Sequence, residues 1–162
     1  MSLLYIIDAY NIINHPQFRP RAGKFPNIQS SLAEFISLNR LCGSRKNRAI
    51  LVFDGYPPCG ERMPEEEGLV CLFSRMIEAD ELIKKLVEES GQPRNIIVVS
   101  DDKAVQVAAR LLKARFSAVE EFICGGKSLR QHKALPDDQE ENKISYSKIQ
   151  AINAELKKKL LE

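Results

Sequence analysis

The chain has 162 residues, enough for one domain with a short extension, and 44% of them are hydrophobic, ample for a core. A charged fraction of 28% is ordinary for a soluble surface, and a net charge of +2 is too small to demand a polyanionic partner, although a local basic patch is enough for one. No apolar run approaches the roughly 18 residues of a membrane-spanning helix, and no basic segment with a small-residue cleavage site precedes the first strand.

The run Leu3-Leu4-Tyr5-Ile6-Ile7 stops at Asp8. A short apolar run bounded by polar residues predicts a strand buried on both faces, and hence a parallel sheet covered by helices. Open α/β sheets bind ligands beyond the carboxyl ends of their strands, which places Asp8 at that edge and Asn11 one turn later. Asn14 to Pro26 holds three prolines and reads as a loop. Its Arg19, Arg21 and Lys24 are either solvated or a phosphate-contacting rim, and on this segment alone solvation is preferred. Ser31-Leu32-Ala33-Glu34 has capping-box form, and Ile28, Leu32, Phe35, Ile36, Leu38 and Leu41 give a stripe that predicts a helix over about 28–42, ended by Gly43. Arg45, Lys46 and Arg48 form a basic cluster leading into a second strand, Ala49 to Phe53, which again ends in an acid, Asp54.

A charged loop leads to a third strand, Leu69 to Phe73, with Ser74 and Arg75 at its end. Ala79, Leu82, Ile83, Leu86 and Val87 mark one face of the next helix. Glu78, Asp80 and Glu81 crowd its first turn, where the helix dipole favours acids and where Asp80 can pair with Lys84. A fourth strand, Asn95 to Val99, ends in Ser100, Asp101 and Asp102, either of which acids can cap the helix expected from Lys103 to Arg115. Phe116 to Ile123 reads as a final strand or a helical turn, and Gly125-Gly126 as the end of a domain spanning 1–126. The remainder, 127–162, reads as a charged linker with the acidic run Asp137 to Glu141, followed by an amphipathic helix carrying Ile149, Ile152, Leu156 and Leu160. That helix either packs on the domain or a second copy, which is preferred, or serves as a basic arm toward nucleic acid or a partner.

Alternating strands and helices argue for a parallel α/β sheet. In such a sheet Asp8, Asp54 and Asp101 or Asp102 converge at the carboxyl edge, and Asp80 joins them from a helix start. Crowded carboxylates raise one another's pKa and cost stability unless a cation compensates them. Oxygen ligands without His or Cys suit Mg²⁺ or Mn²⁺, and such sites serve phosphoryl transfer. Cys42, Cys59, Cys71 and Cys124 form no C-x-x-C pair and lie far from His15 and His132, so a zinc site is not expected; reduced cysteines in a cytoplasmic protein are. There is no phosphate-binding glycine loop, and Asp8-Ala9-Tyr10 lacks the second aspartate of an aspartyl-phosphate phosphatase.

Ile6 to Ile13, Val52 to Gly55, Glu78 to Ile83 and Val98 to Ala104 together resemble the NYN domains of the YacP-like branch of the PIN-like nuclease superfamily. The resemblance spans roughly Leu3 to Gly126 and implies a three-layer α/β sandwich around a mainly parallel sheet, with the C-terminal helix as an extension. It further implies a metal-dependent endoribonuclease. Asp8, Asp80 and Asp102 match the family's principal metal-binding acids, with Asp101 an adjacent candidate. Asn11 would orient a metal ligand or phosphate, Asp54 would be an outer or second metal ligand, and Ser100 would hydrogen-bond a ligand carboxylate. Ala9 replaces a usual Gly, and Glu78 adds an acid at the helix start. RNA, free or on the ribosome, is the implied partner, with Arg19, Arg21, Lys24, Arg45, Lys46 and Arg75 as candidates to hold its backbone. The rivals are a non-catalytic RNA- or ribosome-binding module of the same fold and a small-molecule phosphatase.

Overall fold

The apolar runs form five strands in the computed structural model, which describes residues 1–21, 23, 27–64 and 66–125. They are β1 (Leu4–Asp8), β2 (Arg48–Phe53), β3 (Leu69–Phe73), β4 (Ile96–Val99) and β5 (Arg115–Ser117). Between them run helices α1 (Ala9–Ile13), α2 (Ile28–Leu38), α3 (Ala79–Glu88), α4 (Lys103–Leu111) and α5 (Val119–Gly125), with a 3₁₀ turn at Pro93–Asn95. The sheet order is β3-β2-β1-β4-β5 and every pairing is parallel. The chain builds outward from β1 to β3, then returns to place β4 on the other side of β1. The strand order therefore reverses between β1 and β4, and such a switch point is where open α/β sheets bind their ligands.

Alternation along the strands assigns the two faces. Leu4, Ile6, Ile50, Val52, Ile96 and Val98 pack with Leu82, Ile83 and Leu86 of α3 and Val105 of α4. Tyr5, Ile7, Leu51, Phe53, Ile97 and Val99 pack with Ile12 of α1, Leu32 and Ile36 of α2 and Phe122 of α5. The result is the expected three-layer sandwich, its core split by the sheet into two apolar layers.

Helices α2 and α4 stop earlier than their apolar stripes. After α2, Arg40 N–H donates to Ser37 O and Leu41 N–H to Ile36 O, with Arg40 at φ 48°. After α4, Lys113 N–H donates to Arg110 O and Ala114 N–H to Ala109 O, with Lys113 at φ 66°. Both are paired-bond C-terminal caps whose left-handed residue is usually glycine. Leu41 still reaches the core, at 2% exposure, from beyond the helix. The capping box expected at Ser31 is also displaced, because Asn27 caps α2 and its side chain accepts from Ser30 N–H at 2.8 Å. The ambiguous stretch after Arg115 is both a strand and a helix, β5 then α5. The linker and helix expected over 127–162, like Gly126 and Lys24, lie outside the described residues.

Candidate functional site

Asp8 is the last residue of β1, starts the short helix α1, and is 5% exposed. The turn of α1 returns Asn11 to it: Asn11 Nδ2 donates to Asp8 Oδ2 at 2.9 Å. Ala9 is buried with ordinary right-handed backbone, so the Cβ it has in place of a glycine brings no strain. From the neighbouring β4, fully buried Ser100 places its Oγ 3.5 Å from Asp8 Oδ2 and 3.4 Å from Asn11 Oδ1. The same Oγ accepts from Asp102 N–H at 3.1 Å, and Asn11 Oδ1 accepts from Asp101 N–H at 2.8 Å. Gln106 on α4 closes the network by donating to Ser100 O at 2.9 Å.

A second hydroxyl acts alike on the other side of β1. Ser74, also fully buried, donates to Asp54 Oδ1 at 3.0 Å and accepts from Gly55 N–H at 3.1 Å. Gly55 adopts φ +86°, a conformation available to glycine at no steric cost, and this turns the chain behind Asp54. Arg75 follows at φ 60°, its N–H donating to Gly55 O at 2.8 Å. The buried Nε of Arg75 has no acceptor among the described residues.

Helix α3 supplies the remaining acids. Glu78 is its N-cap with no side-chain cap bond, and Asp80 lies in its first turn. Asp8, Tyr10, Asp54, Glu78, Ala79 and Asp80 line one open cleft of about 490 Å³. Burial, chiefly, pushes the Asp8 carboxyl up to about 6, and the charges of Asp80 and Asp102 add to the rise against the hydrogen bonds from Asn11 and Ser100. The Asp80 carboxyl is also raised, first by burial and then by Asp102, with Glu78 and Asp54 adding and Lys84 opposing. These five acids therefore sense one another across the carboxyl edge.

Asp101 and Asp102 divide their work. Asp102 Oδ1 caps α4, accepting from Ala104 N–H at 2.7 Å and Val105 N–H at 3.2 Å. Asp101 Oδ1 accepts from Val119 N–H at 2.8 Å and so fastens the start of α5. Asp102 is electrostatically joined to the acid group, while Asp101 is engaged in holding α5 in place. The basic residues are scattered. Arg19 is exposed, and Arg21 lies 4.0 Å from Glu34 of α2. Arg45 and Lys46 precede β2 and thus lie at the amino edge, opposite the acids, whereas Arg75 follows β3 at the carboxyl edge. Sequence reading gave no role to Ser74, Gln106 or Tyr10. A strand ending in Ser next to an acid-bearing strand, which occurs at both Ser74 and Ser100, was the available signal.

The donors of the acid group are all oxygens, the set that hard divalent cations prefer. Among the described residues no three carboxylate, imidazole or thiol groups are gathered tightly enough to enclose a cation. The carboxylates of Glu78 and Asp80 make no hydrogen bond among those residues, and Lys84 is the cation that Asp80 senses. The chemistry of the donors fits Mg²⁺ or Mn²⁺, and the raised Asp8 and Asp80 carboxyls are the cost that a cation would relieve.

The fold has solved counterparts. A crystal structure of Rae1 (YacP) from Bacillus subtilis superimposes with a TM-score of 0.55 at 22% identity, over 81% of this chain and 76% of that one. A single-residue mutant of it gives 0.56 at 21%, over 80% and 77%. No curated protein sequence is significantly similar to the chain. Among described residues no helix is long and apolar enough to cross a membrane. The family model of the YacP-like NYN domain matches residues 5–162, across the expected boundary at Gly126. The acid-edged parallel sheet thus carries a sequence signature along almost its whole chain, and the protein belongs to the YacP-like NYN domain family, within the PIN-like nuclease superfamily.

Proposed function

We propose that the protein is a metal-dependent endoribonuclease that hydrolyses phosphodiester bonds of single-stranded or looped RNA at the cleft of the carboxyl edge. The observation that carries this reading is the meeting of Asp8, Asp54, Glu78 and Asp80 in one cleft beside the switch point of the sheet. Four carboxylates there repel an RNA phosphate, so a function on RNA requires a cation between them. Asp8, Asp54, Asp80 and Asp102 would hold Mg²⁺ or Mn²⁺, which supplies Lewis-acid stabilisation of charge on the phosphodiester. Asn11 and Ser100 orient Asp8, and Ser74 orients Asp54. Of the candidate cations, Arg75, which follows β3 at the carboxyl edge, and exposed Arg19 would contact the RNA backbone. Glu78 contributes an untied carboxylate at the mouth of the cleft. We assign the protein to the cytoplasm, with RNA, free or on the ribosome, as its partner. The domain would end near Gly126, and the C-terminal helix would contact the domain or a second copy.

One observation favours the other reading, a non-catalytic RNA-binding module: the acids of the described residues do not enclose a cation-sized site. Purified protein incubated with an unstructured RNA in Mn²⁺ separates the two. Cleavage that disappears in EDTA and in Asp8→Asn supports the nuclease. Binding that persists in EDTA, with no cleavage when Mn²⁺ is restored, supports the module. Release of phosphate from a generic monoester with RNA left intact would favour a phosphatase instead.

A further inference from the structure

The edge opposite the acids holds a concentration of positive charge that the cleft does not use. Strands β2, β1, β4 and β5 lie side by side and all begin there. The turns feeding them carry Arg45, Lys46 and Arg48 at β2, Arg94 before β4, and Lys113 and Arg115 at β5. All six are exposed, and none has an ion-pair partner among the described residues. The register spreads them along the edge. Arg48 pairs with Leu4 and Leu4 with Ile96, on the face covered by α3 and α4, while Arg115 pairs with Ile97 on the face covered by α1, α2 and α5, so the basic residues span four adjacent strands and both faces. At the spacing of strands in a sheet that span is about 14 Å wide. Opposing charge at this edge comes from exposed Glu88 and Glu89 at the end of α3, the latter 3.9 Å from Lys85, and from Glu66 and Glu67, which precede β3 beyond the end of the span.

Two further features argue that the charge is more than a solvated face. Lys113 and, after α2, Arg40 occupy left-handed cap positions where a side chain costs about 1 kcal/mol relative to glycine. Both helices thus end by projecting a cation at this edge in a conformation that disfavours it. The edge also lacks exposed aromatic rings, since the exposed aromatics of the described residues are Tyr10, which lines the acid cleft, and Tyr56, which follows β2 at the carboxyl edge. Without aromatic rings the edge offers no stacking platform for unpaired bases, and its cations suit phosphates.

We propose that the amino edge of the sheet is a second RNA surface, which grips the sugar-phosphate backbone of a base-paired RNA region without sequence preference. That the polyanion is RNA rests on the nuclease reading of the opposite edge; the charge arrangement does not. The two edges then divide the labour, with structured RNA anchored at one and an unpaired strand presented to the other.

The test is fluorescence anisotropy of a labelled RNA hairpin with the full chain in EDTA, so that binding is read without cleavage. The triple variant Arg45→Glu, Lys46→Glu, Arg115→Glu should lose at least tenfold in affinity at about 0.1 M salt and show a shallower salt dependence, by roughly 0.9 in log–log slope per phosphate contact removed. The same variant should cleave a short unstructured RNA at the parental rate. Lys103→Glu, an exposed charge reversal on the acid side, should leave hairpin affinity within twofold. Unchanged hairpin binding in the triple variant, with a normal melting curve, would overturn the proposal, as would an equal loss in Lys103→Glu. Tighter binding to phosphatidylserine vesicles than to the hairpin would overturn it in favour of a membrane surface. Failure of cleavage with hairpin binding intact would instead count against the nuclease reading alone.

Discussion

Asn11 and Asp101 stand 90 positions apart in the chain, yet the side-chain oxygen of the first accepts the backbone N–H of the second at 2.8 Å. With its other end Asn11 donates to Asp8. One amide thus fixes a carboxylate on β1 and the loop after β4 together, across the switch point. Asn11→Ala removes both bonds and leaves a buried carboxylate with one fewer donor, which should destabilise the fold by about 1–2 kcal/mol. Urea denaturation measures this. RNA cleavage should fall at least tenfold. Cleavage at the parental rate would show that the amide serves packing and not the site.

How much of this was legible in the sequence differs from residue to residue. Asp8 was, because an apolar run that halts at an acid marks both a buried strand and its functional end. The amino-edge position of Arg45 and Lys46 was legible too, since residues that precede a parallel strand lie opposite its ligand-binding end. Ser74 was not legible, because its role depends on Asp54, 20 positions earlier on the adjoining strand. Nor were the ends of α2 and α4, where Arg40 and Lys113 take a left-handed turn that sequence signals assign to glycine. Asp101 and Asp102 are alike in sequence, and only the return of the chain as α5 gives Asp101 a separate partner in Val119.

Ser74 holds Asp54 as Ser100 holds Asp8, and this predicts a metal phenotype from a residue outside the cleft. Ser74→Ala should cost about 1 kcal/mol of stability. It should raise the Mn²⁺ concentration needed for half-maximal cleavage about tenfold, the lower end of the loss in metal affinity when the support of a metal ligand is removed, while leaving the rate at saturating Mn²⁺ close to that of the parent. Asp54→Asn should shift the Mn²⁺ requirement further. A Mn²⁺ titration of both variants decides it, and an unmoved midpoint in Ser74→Ala would remove the hydroxyl from the site.

Tyr10 borders the acid cleft at 38% exposure, with its ring edge-on to Phe53 at 6.1 Å, and Phe53 is stacked on Phe73 at 5.2 Å. A ring so supported and open on the cleft is suited to stack on an unpaired base, worth about 1–3 kcal/mol. Tyr10→Ala should raise KM for unstructured RNA about tenfold with kcat little changed. Tyr10→Phe should behave like the parent, because the phenol makes no hydrogen bond among the described residues. Steady-state kinetics on one oligonucleotide separates these outcomes, and equal KM values in the alanine and phenylalanine variants would exclude stacking.

The raised Asp8 carboxyl makes stability depend on pH in a direction opposite to that of most paired aspartates. Its folded pKa, about 6, lies above the ordinary 3.8, chiefly because the group is buried. Between those values the native state binds more protons than the unfolded state, so stability falls as pH rises. The contribution is fully present below the ordinary value and is lost as pH passes through about 6. The difference is worth roughly 3 kcal/mol at neutral pH for a group this buried. In EDTA, Asp8→Asn should therefore be more stable than the parent at pH 7, by an amount that shrinks toward zero near pH 4. Adding Mn²⁺ at pH 7 should raise the melting temperature of the parent and not that of Asp8→Asn, since a ligand bound only to the native state stabilises it by mass action. Melting curves of the two proteins across pH 4–7 measure both effects. A parent that gains stability relative to Asp8→Asn as pH rises would mean that Asp8 is held ionised by a partner, and the acid group would then need no cation.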